Sequence, residues 1–80
     1  MYHLYILRCA DDTYYTGITT DLVRRVREHN TSRLGAKYTR GRCPVTLVYT
    51  RHFRTRSNAA REEARIKRLS RSAKLSLIES

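Results

Sequence analysis

Residues 3–29 read HLYILRCADDTYYTGITTDLVRRVREH, and this stretch decides how the chain folds. Its first part, Tyr2 to Cys9, is rich in Tyr, Leu and Ile and reads as a β-strand. Ala10-Asp11-Asp12-Thr13 is a turn, because Asp bonds to nearby backbone and tolerates turn geometry. Tyr14 to Thr19 returns as a second strand with Gly17 near its close, so the two form a β-hairpin. Side chains alternate faces along a strand. Tyr5 and Tyr15 therefore share a face if the loop has three or five residues, and are split by a plain four-residue loop. Thr20 and Asp21 offer an N-cap, with the acid well placed for the helix dipole. In the helix that follows, Leu22, Val23 and Val26 make an apolar stripe, and the helix should end near Asn30. Arg25 and His29, four apart, project from one side of it. Short-range connections thus gather two phenols, a guanidinium and an imidazole. A core does not require that set, whereas a site acting on a phosphate could use every member.

Beyond this stretch, Thr31 to Arg42 is a polar loop with Gly35 and Gly41, and its charge is entirely positive: Arg33, Lys37, Arg40 and Arg42. Pro44 closes it. Val45 to Thr50 is a third strand, and Arg51 to Arg56 a basic connection. Ser57 is a good N-cap for a second helix through about Leu69, with Ala59, Ile66 and Leu69 on its buried side. Ser70 or Ser72 can cap a short last helix with Leu75 and Ile78 apolar. The order β-β-α-β-α-α predicts one α+β domain over residues 1–80, a small sheet with helices.

Seventeen Lys and Arg stand against seven Asp and Glu, a formal charge of +10. That exceeds what solubility needs and points to a polyanionic partner, nucleic acid first and an anionic membrane surface second. The basic residues are spread over loops and helices instead of one amphipathic face, which argues against the membrane. No apolar run approaches the ~20 residues of a span. The opening residues alternate like a strand and lack a basic region before the apolar stretch, so a signal peptide is not expected. The expected location is the cytoplasm, or wherever DNA is accessible inside the cell. Cys9 and Cys43 form no CxxC pair, so neither zinc nor a disulfide framework is suggested and reduced thiols are the plain reading.

The ordered set His3-Leu4-Tyr5, Tyr15-Thr16-Gly17, Arg25 and His29, then Glu63, resembles the GIY-YIG nuclease superfamily. The stretches Gly35-Ala36-Lys37-Tyr38-Thr39-Arg40-Gly41 and Glu63-Ala64-Arg65-Ile66-Lys67 resemble its small single-domain branch. The likeness covers nearly the whole chain. Each tripeptide alone is weak, and the ordered set is fairly specific. It implies a three-stranded antiparallel sheet flanked by helices, and metal-dependent hydrolysis of a nucleic-acid phosphodiester with Mg²⁺ or Mn²⁺. By position it implies Tyr5 and Tyr15 as the paired tyrosines, Arg25 as the catalytic arginine, His29 as the helix histidine and Glu63 as the metal-binding carboxylate. Two departures stand out. His3 replaces the glycine of the first motif, and the late asparagine of some homing-type members has no counterpart after Glu63.

The implied chemistry suits these residue types. Phosphodiester hydrolysis must deprotonate water, stabilise charge on the phosphoryl oxygens and support the leaving oxygen. Magnesium keeps several waters, so one carboxylate can suffice. Arg25 presents a planar fork of donors matched to phosphate oxygens. A tyrosine is a poor base at its ordinary pKa near ~10 but improves beside positive charge. Tyr5 is the favoured base, Tyr15 would orient water or phosphate, and His29 could relay the proton or contact the phosphate. Arg24, Lys37, Arg40, Arg42 and Lys67 are candidate nucleic-acid contacts, with Tyr38 placed to stack on a base.

Each residue also has a plain structural role. The tyrosines could be sheet aromatics, Arg25 part of a solvated face with Arg24 and Arg27, and His29 a helix-end residue. On a helical wheel Glu62 lies nearer the centre of the buried stripe than Glu63, so periodicity does not select Glu63. Either acid could be a surface partner for a neighbouring Arg. The leading expectation is an endonuclease of low sequence specificity, since 80 residues leave no room for a separate recognition domain. Single-stranded or structured DNA then suits it better than a long duplex. The rival is a non-catalytic nucleic-acid-binding module on the same fold.

Overall fold

Leu4-Tyr5-Ile6-Leu7 is an uninterrupted uncharged run, the pattern of a strand covered on both faces, and all four side chains are at most 1 % exposed. The computed structural model, which describes residues 1–31, 39 and 41–79, places this run in β1 (Tyr2–Arg8). β1 is the middle strand of a three-stranded sheet, between β2 (Tyr14–Thr19) and β3 (Thr46–Phe53), and both pairings are antiparallel. The helices are α1 (Leu22–Thr31), α2 (Arg56–Lys67) and α3 (Arg71–Glu79), so the expected α+β order β-β-α-β-α-α is the observed one.

The hairpin register settles the question of the two tyrosines. Tyr5 pairs with Gly17, Leu7 with Tyr15 and Arg8 with Tyr14, leaving Cys9–Thr13 as a five-residue loop. Tyr5 and Tyr15 therefore face the same side. Cys9 N donates to Thr13 O at 2.8 Å, and Asp12 N donates to Cys9 O at 2.9 Å. Asp12 takes φ 64°, a left-handed geometry that Asp tolerates better than most residues. Asp11 Oδ1 accepts from both the amide and the hydroxyl of Thr13, at 3.2 and 2.6 Å.

Alternation along β1 divides the core in two. Tyr5 and Leu7 pack with Cys9 and Val45 against Leu22 and Val26 of α1, joined by Tyr15. Leu4 and Ile6 pack on the other face against Ile66 and Leu69, and against Leu77 and Ile78 of α3. A bulge between Ile6 and Leu7 pairs them with Tyr49 and Leu47, which leaves Val48 as the extra residue. Leu47 consequently joins the α1 face with Leu22, Val23 and Val26, while Val48 and Tyr49 both pack on the other.

Two boundaries differ from expectation. β3 runs to Phe53, so Arg51 and His52 belong to the strand, opposite Leu4 and His3, instead of to a connection. β3 lies at the sheet edge, where charged side chains are accommodated without burial; Arg51 lies over the Phe53 ring at 5.1 Å. The cap of α2 is Thr55, not Ser57. Thr55 is extended and its hydroxyl accepts from Asn58 N at 3.1 Å, which leaves Ser57 inside the first turn. For α1 and α3 the caps are as expected: Asp21 Oδ1 accepts from Arg24 N at 3.1 Å and Ser70 Oγ from Ala73 N at 3.2 Å.

Asn30 fastens α1 to the start of β3. Its Oδ1 accepts from Val45 N at 2.7 Å and its Nδ2 donates to Val45 O at 3.2 Å, a two-point clasp resembling one rung of a sheet. Removing it orphans a donor and an acceptor beside a residue that is only 5 % exposed. Asn30→Ala should therefore lower stability by about 1–3 kcal/mol, read from the urea midpoint of the unfolding transition.

Candidate active site

Tyr5 occupies the centre of the sheet because residue 17, directly opposite, has no side chain. A Cβ at Gly17 would lie 2.5 Å from the Tyr5 hydroxyl and 2.7 Å from its ring carbon Cζ, and 3.1 Å from Tyr15 Cε2. The space that a side chain would fill holds the Tyr5 phenol instead. Tyr15 stands next along this face, with its ring centroid 6.3 Å from that of Tyr5. α1 crosses the same face and brings His29 against both rings, at 5.9 Å from Tyr5 and 5.1 Å from Tyr15.

A buried chain of polar atoms runs through these residues. Tyr5 Oη lies 3.0 Å from His29 Nε2, and His29 Nδ1 lies 2.8 Å from Thr39 Oγ1. His29 is 2 % exposed and Thr39 fully buried. Arg25 also hydrogen-bonds the Tyr5 hydroxyl. A guanidinium can only donate, so Arg25 donates to the phenol oxygen. We assign the phenol proton to His29 Nε2, with Nδ1–H donating to Thr39. Cys43 Sγ donates to the backbone carbonyls of His29 (3.0 Å) and Thr39 (3.4 Å), tying both ends of the imidazole's support together. Cys9 and Cys43 are both free thiols.

Burial dominates the electrostatics. It pushes the Tyr5 phenol up to about 12, against the hydrogen bond from Arg25, with Tyr15 and Glu63 adding to the rise. It pulls His29 down to about 4, helped by the positive charge of Arg25. The resting pair is thus a neutral phenol against a neutral imidazole. Burial also works against the Arg25 charge, but hydrogen bonds to Glu28 and Tyr5 outweigh it and its pKa rises. Glu28 Oε1 holds Arg25 Nη1 at 3.0 Å.

Of the acids on α2, Glu62 is engaged on the surface by Arg65 (2.7 Å) and Arg51 (3.2 Å). Glu63 carries a Lys67 ammonium at 3.3 Å and has 22 % of its side chain exposed. The charge of Glu63 reaches Tyr5 weakly, although Ile66 of the same helix packs on the opposite face of the sheet. Among the described residues no cluster of three or more His, Cys, Asp or Glu could hold a metal. Arg24 is largely exposed, 3.8 Å from Glu28. Arg42 pairs with Asp11 at 3.0 Å, so that basic loop residue has an acidic partner from the hairpin turn. Lys37, Tyr38 and Arg40 lie outside the described residues. Glu28 and Thr39 were not expected in the site. The spacing of Glu28 from Arg25, one turn on, was a usable signal; nothing local marked Thr39.

With the geometry in view, the comparison with known proteins is decisive. Residues 1–76 match the profile of the GIY-YIG catalytic domain. The chain belongs to the GIY-YIG family. A UPF0213 protein of Halobacterium salinarum is 58% identical over 77 residues, covering 96% of this chain and 99% of that one. Among solved structures, the solution structure of a UPF0213 protein from Bacillus halodurans is 48% identical with a TM-score of 0.64, covering 99% of this chain and 84% of that one. A solution structure from E. faecalis is 42% identical with a TM-score of 0.67, covering 98% and 82% respectively. GIY-YIG is a nuclease fold. At the first motif's glycine position this chain has His3, whose ring packs edge-on against His52 across the sheet, centroids 4.6 Å apart.

Two measurements probe the buried chain. Gly17→Ala should displace the Tyr5 phenol, breaking its bond to His29, and cost about 1–3 kcal/mol as overpacking; the His29 ring nitrogen shifts in NMR and the urea midpoint report the two effects. The second is a pH effect. His29 has an ordinary value of 6.5 and a folded value of about 4, so between these the unfolded chain binds a proton that the folded chain does not. Its contribution to stability is intact above pH ~6.5, is lost as pH falls toward ~4 and then levels off; the whole loss is about 3.4 kcal/mol, of which the part above pH 4.5 is about 2–3 kcal/mol. The wild-type stability loss between pH 7.5 and 4.5 should exceed that of His29→Asn by about that amount.

Proposed function

We propose that the chain is a metal-dependent endonuclease that hydrolyses DNA phosphodiester bonds with low sequence specificity, single-stranded or structured DNA being its best substrate. The observation that carries this reading is the buried Tyr5–His29–Thr39 chain, with Arg25 donating to the same phenol oxygen. A structural tyrosine needs one partner for its hydroxyl. This one has a proton acceptor behind it and a cation beside it, and the charge of Glu63 reaches it.

Tyr5 is the base. Its oxygen takes a proton from the attacking water as its own proton passes to His29 Nε2, and Thr39 holds the imidazole so that Nε2 faces the phenol. Arg25 binds a non-bridging phosphate oxygen. A phosphate bound there offsets the positive charge that helps hold His29 low, so substrate binding makes the imidazole a better acceptor at the moment it is needed. Tyr15 orients the water or the phosphate. Glu63 would hold Mg²⁺ or Mn²⁺: it is a half-buried carboxylate already carrying a cationic partner, and a lone carboxylate suits an ion that keeps most of its waters. Such an ion supplies charge stabilisation at the phosphoryl oxygens. Lys67, released from Glu63, would then be free for a phosphate. Arg24, with Lys37, Tyr38, Arg40 and Arg42 from the basic loop, would contact the strand further out.

Labelled single- and double-stranded DNA, incubated with and without Mg²⁺ or Mn²⁺, tests the proposal. Glu63→Ala should abolish cleavage and leave binding in EDTA largely intact, while Arg25→Ala lowers both. Cleavage by Glu63→Ala at the wild-type rate would remove the assigned metal ligand. Binding in EDTA with no cleavage under either metal would favour the non-catalytic binding module.

A further inference from the structure

The second face of the hairpin carries a cationic cluster that the site above does not use. Tyr14 and Tyr15 are neighbours on β2, so their side chains point to opposite faces. On the face away from Tyr5, Tyr14, Thr13, Arg71 and Lys74 line an open cleft of about 210 Å³. Arg8 pairs with Tyr14 across the strands and so stands on the same face, exposed. Three cations thus share this face with one phenol ring.

Packing accounts for part of this. The Arg71 guanidinium lies over the Tyr14 ring at 5.3 Å and Nη1 donates to Asp12 O at 2.8 Å, which staples the hairpin turn to α3. Four of its five N–H donors remain, and their plane is fixed in advance by the ring and the carbonyl. Arg8 and Lys74 have no ion-pair partner among the described residues, and Asp11 of the adjacent turn is committed to Arg42 at 3.0 Å. Arg71 and Lys74 also sit in the first turn of α3, which contains no acid. Positive charge there opposes the helix dipole. The cluster works against itself in the free protein, and an anion lying in the cleft would relieve that.

We propose that Arg8, Tyr14, Arg71 and Lys74 form a second nucleic-acid contact that takes backbone phosphates of the strand outside the scissile bond, after it passes over the β2 edge. β2 is an outer strand, so a strand leaving Tyr15 reaches Tyr14 by crossing a single edge. The ligand is a nucleic-acid backbone and not a free nucleotide, because the cluster is open and adjoins the cleavage face. The inference rests on the reading of the chain as a nuclease for its partner, but not for its test.

Fluorescence anisotropy in EDTA reads binding without cleavage. The probes are labelled oligothymidylates of about 4 nucleotides, enough for the catalytic face alone, and of about 20 nucleotides. Lys74→Ala should weaken binding of the long probe about threefold and Lys74→Glu about tenfold, with Arg8→Glu similar to the latter, while the short probe is unaffected. Each lost phosphate contact should flatten the salt dependence of the long probe by ~0.7 in log–log slope. Neither Lys74 nor Arg8 makes an ion pair within the described residues, so the variants should melt like wild type, which circular dichroism checks. Equal loss on both probes, or no loss on either while wild type binds the long one, overturns the second contact and leaves the nuclease reading standing. Length-dependent loss in a protein that cleaves under no metal supports the second contact and removes the nuclease reading instead.

Discussion

The structure depends on one buried hydroxyl. Tyr5 lies on the middle strand of the sheet, is 1 % exposed, and places its oxygen where a glycine across the pairing leaves room. A phenol in that position must hydrogen-bond, because an unpaired buried polar group costs about 1–3 kcal/mol. The partners that satisfy it come from α1: an imidazole and a guanidinium one helical turn apart. The sheet, the helix and the Thr39 region are therefore fixed to each other through polar contacts as well as apolar ones. Shifting α1 along the sheet would break a polar network before it opened a cavity.

Much of this was legible in the residues, for identifiable reasons. The strands, the helix order and the Asp21 cap follow from local pattern, whereas the burial of Leu4–Leu7 on both faces emerges only from the structure. The shared face of Tyr5 and Tyr15 was not legible, because it turns on the number of loop residues, which the pairing fixes at Cys9–Thr13. β3 extends beyond its apolar run because an edge strand tolerates Arg51 and His52. Glu62 and Glu63 were inseparable by periodicity; only side-chain partners distinguish them, Glu62 being held by two arginines and Glu63 by one lysine. Thr39 lay inside the family-like stretch Gly35–Gly41, but nothing in its local pattern tied it to His29, ten residues earlier.

Charge and burial divide the labour. The excess of cations acts over long range and sets a positive field around the surface. The buried phenol and imidazole act over a few ångströms and are pushed by burial in opposite directions, each toward its neutral form. A neutral pair at rest keeps the interior free of uncompensated charge.

The placement of β1 has a consequence for how the chain emerges during synthesis. β1 and β2 are joined by a short loop and can pair at once, whereas β3 begins only at Thr46. Until it has been made, the inner strand has a bare flank of unsatisfied backbone groups, the kind of template that captures other nascent chains. Through Val45 the chain already carries eight Lys and Arg against four Asp and Glu, and mutual repulsion among such half-built sheets works against that capture, so these cations guard the chain while it is incomplete.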